Sequence, residues 1–311
     1  MTRGIWIFVA VLASIATGTF ADRLPERRTL TVGGYQVLSA DLHLHSGLGS
    51  GGSLTPWGLV TEAQRQALDV IALTGHNETW DAHVAHAFTR LVDGPIVLVG
   101  EEITSKTQDL IAVGIHDTIA PALPLREQIA DIHRQGGVAI APHPDLQYLK
   151  VYREADAMTA IDGTEVCHPM SYARAGSADE IATFAAGTAA TPIGSSDFHW
   201  SGRVGMCRTF LFVTEATERG VLEAIHAHRT VVYGFMGRAF GDPALIRLGD
   251  AAGLGDEAER YTRANGSALD WASRLTAAAA LLGIVLATRS LANRPAGERR
   301  VSRRLVPVRF P

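Results

Sequence analysis

Six short apolar runs, each ending in side chains that can hold a metal, constrain this chain more than any other feature. The first closes on Asp41-Leu42-His43-Leu44-His45. Residues 69–73 lead to Thr74-Gly75-His76-Asn77, and 95–99 to Gly100-Glu101-Glu102. Residues 137–141 run into Pro142-His143-Pro144, 160–166 into Cys167-His168, and 191–194 into Ser195-Ser196-Asp197-Phe198-His199. Side chains alternate faces along a strand, so His43 and His45 project to one side, about 7 Å apart, and can grip a single divalent ion.

Helix-period stretches lie between or after the runs, at 55–68, 79–91, 125–135, 177–186 and 217–228. Pro56 sits in the first turn of one of them, and Gly136-Gly137 ends another. Strands alternating with helices predict an α/β parallel sheet. Ligand types gathered at the strand ends favour a closed or nearly closed barrel over an open sheet. Strands at 110–115, 209–213 and 230–233 bring the expected count to seven or eight.

These motifs resemble those of the PHP (polymerase and histidinol phosphatase) family of metal-dependent phosphoesterases. The resemblance covers residues 37–235. The family's D-x-H-x-H is matched by Asp41, His43 and His45, its T-D-H-N by Thr74, His76 and Asn77, and its G-x-E by Gly100 and Glu102. His143-Pro144 matches the later H-P, and Ser196, Asp197 and His199 match the closing S-D-x-H. Three places depart from the pattern. Ser50 stands where a ligating Asp belongs, Gly75 takes the Asp place of T-D-H, and Asp109 takes that of a His.

The resemblance implies a distorted (β/α)7 TIM-like barrel, the PHP fold, holding two or three divalent ions (Mn, Zn or Fe). His43, His45, Glu102 and Asp197 are expected on one ion, and Glu102, Asp109 and His143 on a second. His76 and His199 would approach a third, weakened by Ser50. Asp41, Glu102, Asp197 and His199 are the expected catalytic group. Arg203 is expected to bind a substrate phosphate through its fork of donors.

An anionic phosphoester repels a nucleophile, so paired ions would both neutralise it and supply a metal-bound hydroxide. The expected function is a phosphoesterase acting on small phosphorylated or nucleotide substrates outside the cytoplasm. Two alternatives stay open: an ester or carbamate hydrolase of the same fold, or a catalytically inactive metal-binding sensor or assembly domain. The amidohydrolases also open on His-x-His but add a bridging Lys at mid-barrel. Neither Lys106 nor Lys150, the only two lysines, stands at a strand end. A net charge of -4 argues against general nucleic-acid binding. Glu101 is read as structural, His168 as a surface or hydrogen-bonded residue, and His83 and His86 as a solvent-facing pair.

Arg3 followed by the apolar residues 5–16, with Ala21 as a cleavage site, makes residues 1–22 a signal peptide or N-terminal anchor. Residues 35–240 form the barrel, 241–268 a Gly- and Ala-rich linker, 269–290 a candidate transmembrane helix and 291–311 a basic tail. If that helix spans, seven arginines from Arg289 to Arg309, against the single acid Glu298, place the tail in the cytoplasm and the barrel outside. The alternative is a surface helix with a disordered basic tail that touches anionic lipid. Cys167 and Cys207 either pair or are simply buried.

Overall fold

The computed structural model describes residues 2–21, 30–169, 173–199, 203–234, 237–263 and 268–292. It divides into two units, one of Met1–Arg23 with Asn265–Pro311 and one of Leu24–Ala264.

In the larger unit the β-branched and aliphatic runs join one sheet. Its strands are β1 (Leu30–Val32), β2 (Tyr35–Leu44), β3 (Val70–His76), β4 (Ile96–Thr104), β5 (Asp109–Val113) and β6 (Val138–Ala141). They continue as β7 (Gly163–Cys167), β8 (Thr191–Gly194), β9 (Thr209–Val213), β10 (Thr230–Tyr233) and β11 (Ala239–Gly241). The hydrogen-bonded order is β11-β10-β9-β2-β3-β4-β5-β6-β7-β8, with β1 paired to β2. The last strand returns to the first ones. A parallel bridge joins Leu44 to Phe198, and Thr209 Oγ1 lies 2.8 Å from both Gly194 N and Gly194 O. The result is a nearly closed barrel.

The expected all-parallel sheet is corrected. β2–β3, β3–β4, β6–β7 and β7–β8 are parallel, whereas β5 runs antiparallel to both β4 and β6. Only residues 105–108 separate β4 from β5, where Ser105 N donates to Gln108 O at 3.2 Å. So short a link closes a hairpin, since a parallel crossover needs a dozen or more residues. β9, β10 and β11 likewise pair antiparallel.

Alternation gives each strand an inner and an outer face. Inner side chains such as Leu38, Ala40, Val70, Leu98, Ile111 and Ile140 share one core cluster. Outside, α2 (Pro56–Arg65) and α3 (Trp80–Phe88) cover Ile71, Leu73 and Val97. α4 (Leu125–Arg134), α5 (Leu146–Glu154) and α6 (Ser177–Ala186) cover Ile103, Leu110 and Ala139, while α7 (Glu218–His226) packs on the inner cluster. Thr55 and Asp145 cap their helices by accepting from Gly58 N and Tyr148 N, as N-cap side chains do.

Residues 241–268 are not a linker. Most of them fold as α8 (Pro243–Ala251) and α9 (Leu254–Arg263), whose Leu245, Leu254 and Ala258 pack with Val37, Phe210 and Tyr233. The Asp242 carboxylate caps α8 by accepting from Ala244 N at 2.6 Å, and Pro243 starts it. Cys167 and Cys207 form a disulfide with a Cα–Cα distance of 5.4 Å, joining the end of β7 to the segment before β9.

The smaller unit pairs α1 (Thr2–Ala21) with α10 (Ala268–Ala292). The candidate span at 269–290 is therefore helical. Among the described residues, however, no helix is long and apolar enough to cross a membrane. Arg274 and Arg289 bound its apolar run. The expected basic tail falls on residues 291–311, of which 293–311 lie outside the described residues.

Candidate metal centre

Four donors converge at the inner ends of β2, β4 and the segment after β8. His43 Nε2 and His45 Nε2 stand 3.0 Å apart. Glu102 Oε2 lies 3.5 Å from the first and 3.3 Å from the second. Asp197 Oδ1 lies 3.3 and 3.1 Å from the same two atoms. Ligands about 2.0–2.1 Å from a tetrahedral ion stand about 3.3–3.4 Å from one another, so this cluster has the size of a divalent-ion site. Both imidazoles are fully buried, and among the described residues neither His45 Nδ1 nor Asp197 Oδ1 has a hydrogen-bond partner. Buried lone pairs packed this closely need a cation among them. The donor set fits the metal chemistry expected from the sequence.

Two further groups share these donors. His43, Glu102 and His143 form one, and His45, His76 and His199 the other, each with its ligand atoms within 4.8 Å of one another. Glu102 turns Oε2 toward His76 Nδ1 at 3.0 Å and Oε1 toward His143 Nε2 at 3.2 Å. One carboxylate thus faces two positions. His76 and His199 are the exposed members, with side chains 40% and 32% accessible.

Backbone strain holds several of these groups. Asn77, His143 and Asp197 have φ of 53°, 27° and 46°, in the left-handed region that non-glycine residues seldom occupy. Asn77 clamps the rim of β4: its N donates to Glu102 O, its Oδ1 accepts from Thr104 N, and its Nδ2 donates to Thr104 O.

Glu165 is the functional residue that sequence reasoning missed. It is fully buried, its Oε1 lies 3.0 Å from His43 Nδ1, and its Oε2 accepts from His143 N at 2.6 Å. A carboxylate can only accept, so His43 Nδ1 carries a proton and Nε2 presents its lone pair to the cluster. Period-two alternation along β7 puts Gly163 and Glu165 on one face, but nothing local marks that face as the inner one. His168 is hydrogen-bonded, as one reading had it, but buried rather than on the surface. Its Nε2 lies 3.3 Å from Asp197 Oδ2.

Three expected site residues stand outside the converging groups among the described residues. In β2, three steps from Asp41 to Leu44 oppose two from Ile71 to Leu73, which marks a β-bulge. Leu42 and His43 therefore both face inward, and Asp41 faces outward with Ile71. Its carboxylate accepts from Ser196 N at 3.0 Å and Gly205 N at 2.7 Å, which ties down the segment carrying Asp197. Asp109 lies beside the cluster, but its Oδ2 accepts from Tyr148 Oη at 2.7 Å, and it joins none of the converging groups among the described residues. Arg203 donates from Nη2 to Gln66 Oε1 at 3.3 Å, at the C-terminal end of α2 and away from the strand ends that carry the histidines.

The departures from the family pattern have local causes. Ser50 Oγ accepts from Ser46 N and donates to Ser46 O, closing its own loop. A Cβ at Gly75 would stand 3.0 Å from Glu78 Cγ and 3.2 Å from Asp81 Oδ1, so two acids already crowd the place of the missing Asp.

Charge is partitioned across the cluster. Burial alone would raise Glu102, Asp197 and Glu165, but His43 and its fellow imidazoles hold all three carboxylates below their usual range. Burial would lower His43, yet Asp197, Glu102 and Glu165 draw it well above the ordinary imidazole value. A cation among the donors would supply the same positive charge and release that proton.

No family model matches the chain. A curated relative, the Methanocaldococcus jannaschii protein MJ1587, described as uncharacterized, is 31% identical over 155 residues. The match covers 47% of this chain and 89% of that protein. A solved structure from Bacteroides vulgatus is described as a two-domain protein containing a predicted PHP-like metal-dependent phosphoesterase. It is 23% identical with a TM-score of 0.58, covering 72% of each chain. That likeness is one of fold, and it is the PHP-like fold expected from the motifs.

Proposed function

We propose, from the premise that this chain belongs to the family of the Methanocaldococcus jannaschii protein and has the PHP-like fold, that it is a metal-dependent phosphoesterase. The observation that carries the reading is the cluster of His43, His45, Glu102 and Asp197 at tetrahedral spacing, with the second oxygen of Glu102 turned to His143.

Two or three divalent ions (Mn, Zn or Fe) suit mixed imidazole and carboxylate donors. Bound there, they would neutralise an anionic ester and acidify an attacking water. The chain's own residues do the rest. His43 and His45 offer Nε2, Glu165 fixes the tautomer and direction of His43, and Glu102 faces two positions at once. Asp41 acts through the backbone of Ser196 and Gly205, holding Asp197 in its left-handed conformation. His199 donates from Nδ1 to Asp197 O at 3.0 Å, and Asp197 raises its affinity for a second proton. In that imidazolium form Nε2 also carries a proton, which it can pass to a leaving oxygen at the exposed rim. The substrates we assign are small phosphorylated molecules or nucleotides outside the cytoplasm. The disulfide between Cys167 and Cys207 supports that location, since such bonds persist in oxidising compartments.

The test is hydrolysis of an aryl phosphate monoester and diester by the full chain, stripped with chelator and reloaded with Mn or Zn. Metal-dependent turnover that disappears in His43→Ala is the expected result. Metal binding without turnover of either ester would overturn the phosphoesterase reading and favour an ester or carbamate hydrolase or an inactive metal-binding domain.

A further inference from the structure

The helix pair made by the two ends of the chain is built inside out for a protein surrounded by water. Its helices run antiparallel: Gly18 meets Ser273 near one end, and Ile7 meets Gly283 near the other. Small residues line the seam. A Cβ at Gly18 would stand 3.0 Å from Ser273 Oγ, one at Gly283 would stand 2.8 Å from Ile7 Cγ1, and Ala280 is buried. Two reciprocal hydrogen bonds cross it, from Ser14 Oγ to Ser273 O at 3.1 Å and from Ser273 Oγ to Ser14 O at 3.0 Å.

Large apolar side chains stand on the perimeter instead. Trp6 is 71% exposed, Phe8 62%, Leu275 65% and Leu281 64%. A pair formed in water would do the reverse, burying its Leu and Ile in the seam. In lipid no hydrophobic force joins two helices. Close approach at small residues and hydrogen bonds between helices join them instead. Among the described residues, three further hydroxyls are satisfied within their own helices, with Thr288 donating to Val285 O at 2.9 Å. Thr17 donates to Ala13 O and Thr276 to Ala272 O, each at 2.7 Å.

We propose that this pair is a lipid anchor whose perimeter is covered by acyl chains, and that α1 stays in the mature protein as half of it. Neither helix alone is long and apolar enough, among the described residues, to cross a membrane, so the pair is the anchoring unit. Removal of residues 1–21 would strip α10 of Ser14, Gly18 and Ile7. Arg289 and the arginines that follow it in sequence favour anionic headgroups.

The experiment uses the full chain expressed from Met1 with no tag ahead of it. Intact mass reads whether residues 1–21 are retained. Flotation with phosphatidylcholine–phosphatidylglycerol vesicles reads lipid binding. The expected result is an uncleaved chain that floats and survives a carbonate wash. Phe8→Glu with Leu281→Glu should cut the floated fraction on the order of tenfold or more. Its thermal melt should stay that of the parent, since neither residue belongs to the barrel unit. A mature chain that begins after Ala21 would overturn the proposal. So would a parent chain that stays at the bottom of the gradient as a defined oligomer, because a second copy would then cover the perimeter.

Discussion

Glu101 makes the barrel's stability depend on pH in a way that can be measured. It follows the inner-facing Gly100 and precedes the inner-facing Glu102, so its carboxyl points outward beneath α4. It is fully buried there, with Ile119 N donating to Oε1 at 2.6 Å and, among the described residues, no partner for Oε2. Burial, with Asp131 adding repulsion, raises it from 4.5 to about 7. A carboxyl raised in the folded state binds its proton more tightly folded than unfolded. Its contribution is therefore fully present below the unfolded value of 4.5 and is lost as pH rises through that value to about 7. The shift from 4.5 to about 7 corresponds to at most about 3.5 kcal/mol, at about 1.4 kcal/mol per pH step. Glu101→Gln keeps the acceptor for Ile119 and removes the charge. Denaturant melts of parent and variant, both metal-free, at pH 5 and pH 8 isolate the effect, because other titrating groups cancel in the difference. The variant should gain on the parent by roughly 2–3 kcal/mol between the two pH values, or roughly 4–12 °C in Tm for a unit of this size. A parent-minus-variant difference that does not change with pH would refute the reasoning.

Glu165→Gln keeps the shape beside His43 but weakens its acceptor; calorimetric titration should show metal affinity falling roughly 10–100-fold with the fold intact. His43→Ala should abolish tight binding at the central cluster altogether in the same titration. Asp41→Asn leaves every converging donor in place and loosens the Ser196–Gly205 segment, so activity should fall far more than metal content measured by atomic absorption. Phe184→Ala empties a fully buried site whose ring meets Tyr152 edge-on at a 5.3 Å centroid distance. Its unfolding free energy should drop by about 3–5 kcal/mol, read from chemical denaturation.

The sequence by itself determined the elements that depend on neighbours a few residues away. Each strand-end motif is local: an apolar run fixes the strand, period two fixes the face, and the next polar residue falls at the rim. His43, His45, His76, Glu102, His143, Asp197 and His199 were legible for that reason, and the structure gathers them at one end of one barrel. The PHP-like fold followed from their order along the chain.

What failed to show in the sequence depends on partners far along the chain or on a break in a regular pattern. Strict alternation puts Asp41 on the histidine face, and only the bulge opposite β3 turns it outward to Ser196 and Gly205, more than 150 residues away. Glu165 reads as one acid in a short strand until His43, 122 residues earlier, is brought to 3.0 Å. Asp109 has the chemistry of a ligand, but Tyr148 on α5 takes one of its oxygens. Residues 241–268 look like a linker because Gly and Ala carry little periodicity, and their helices become visible only where Phe210 and Tyr233 supply a surface to pack on. The two chain ends read as separate apolar segments, and only folding brings Ser14 and Ser273 together. Local pattern specifies what each segment can become. Long-range contact decides which side chains meet, because a meeting depends on the free energy of the whole packed unit and not on any one stretch of chain.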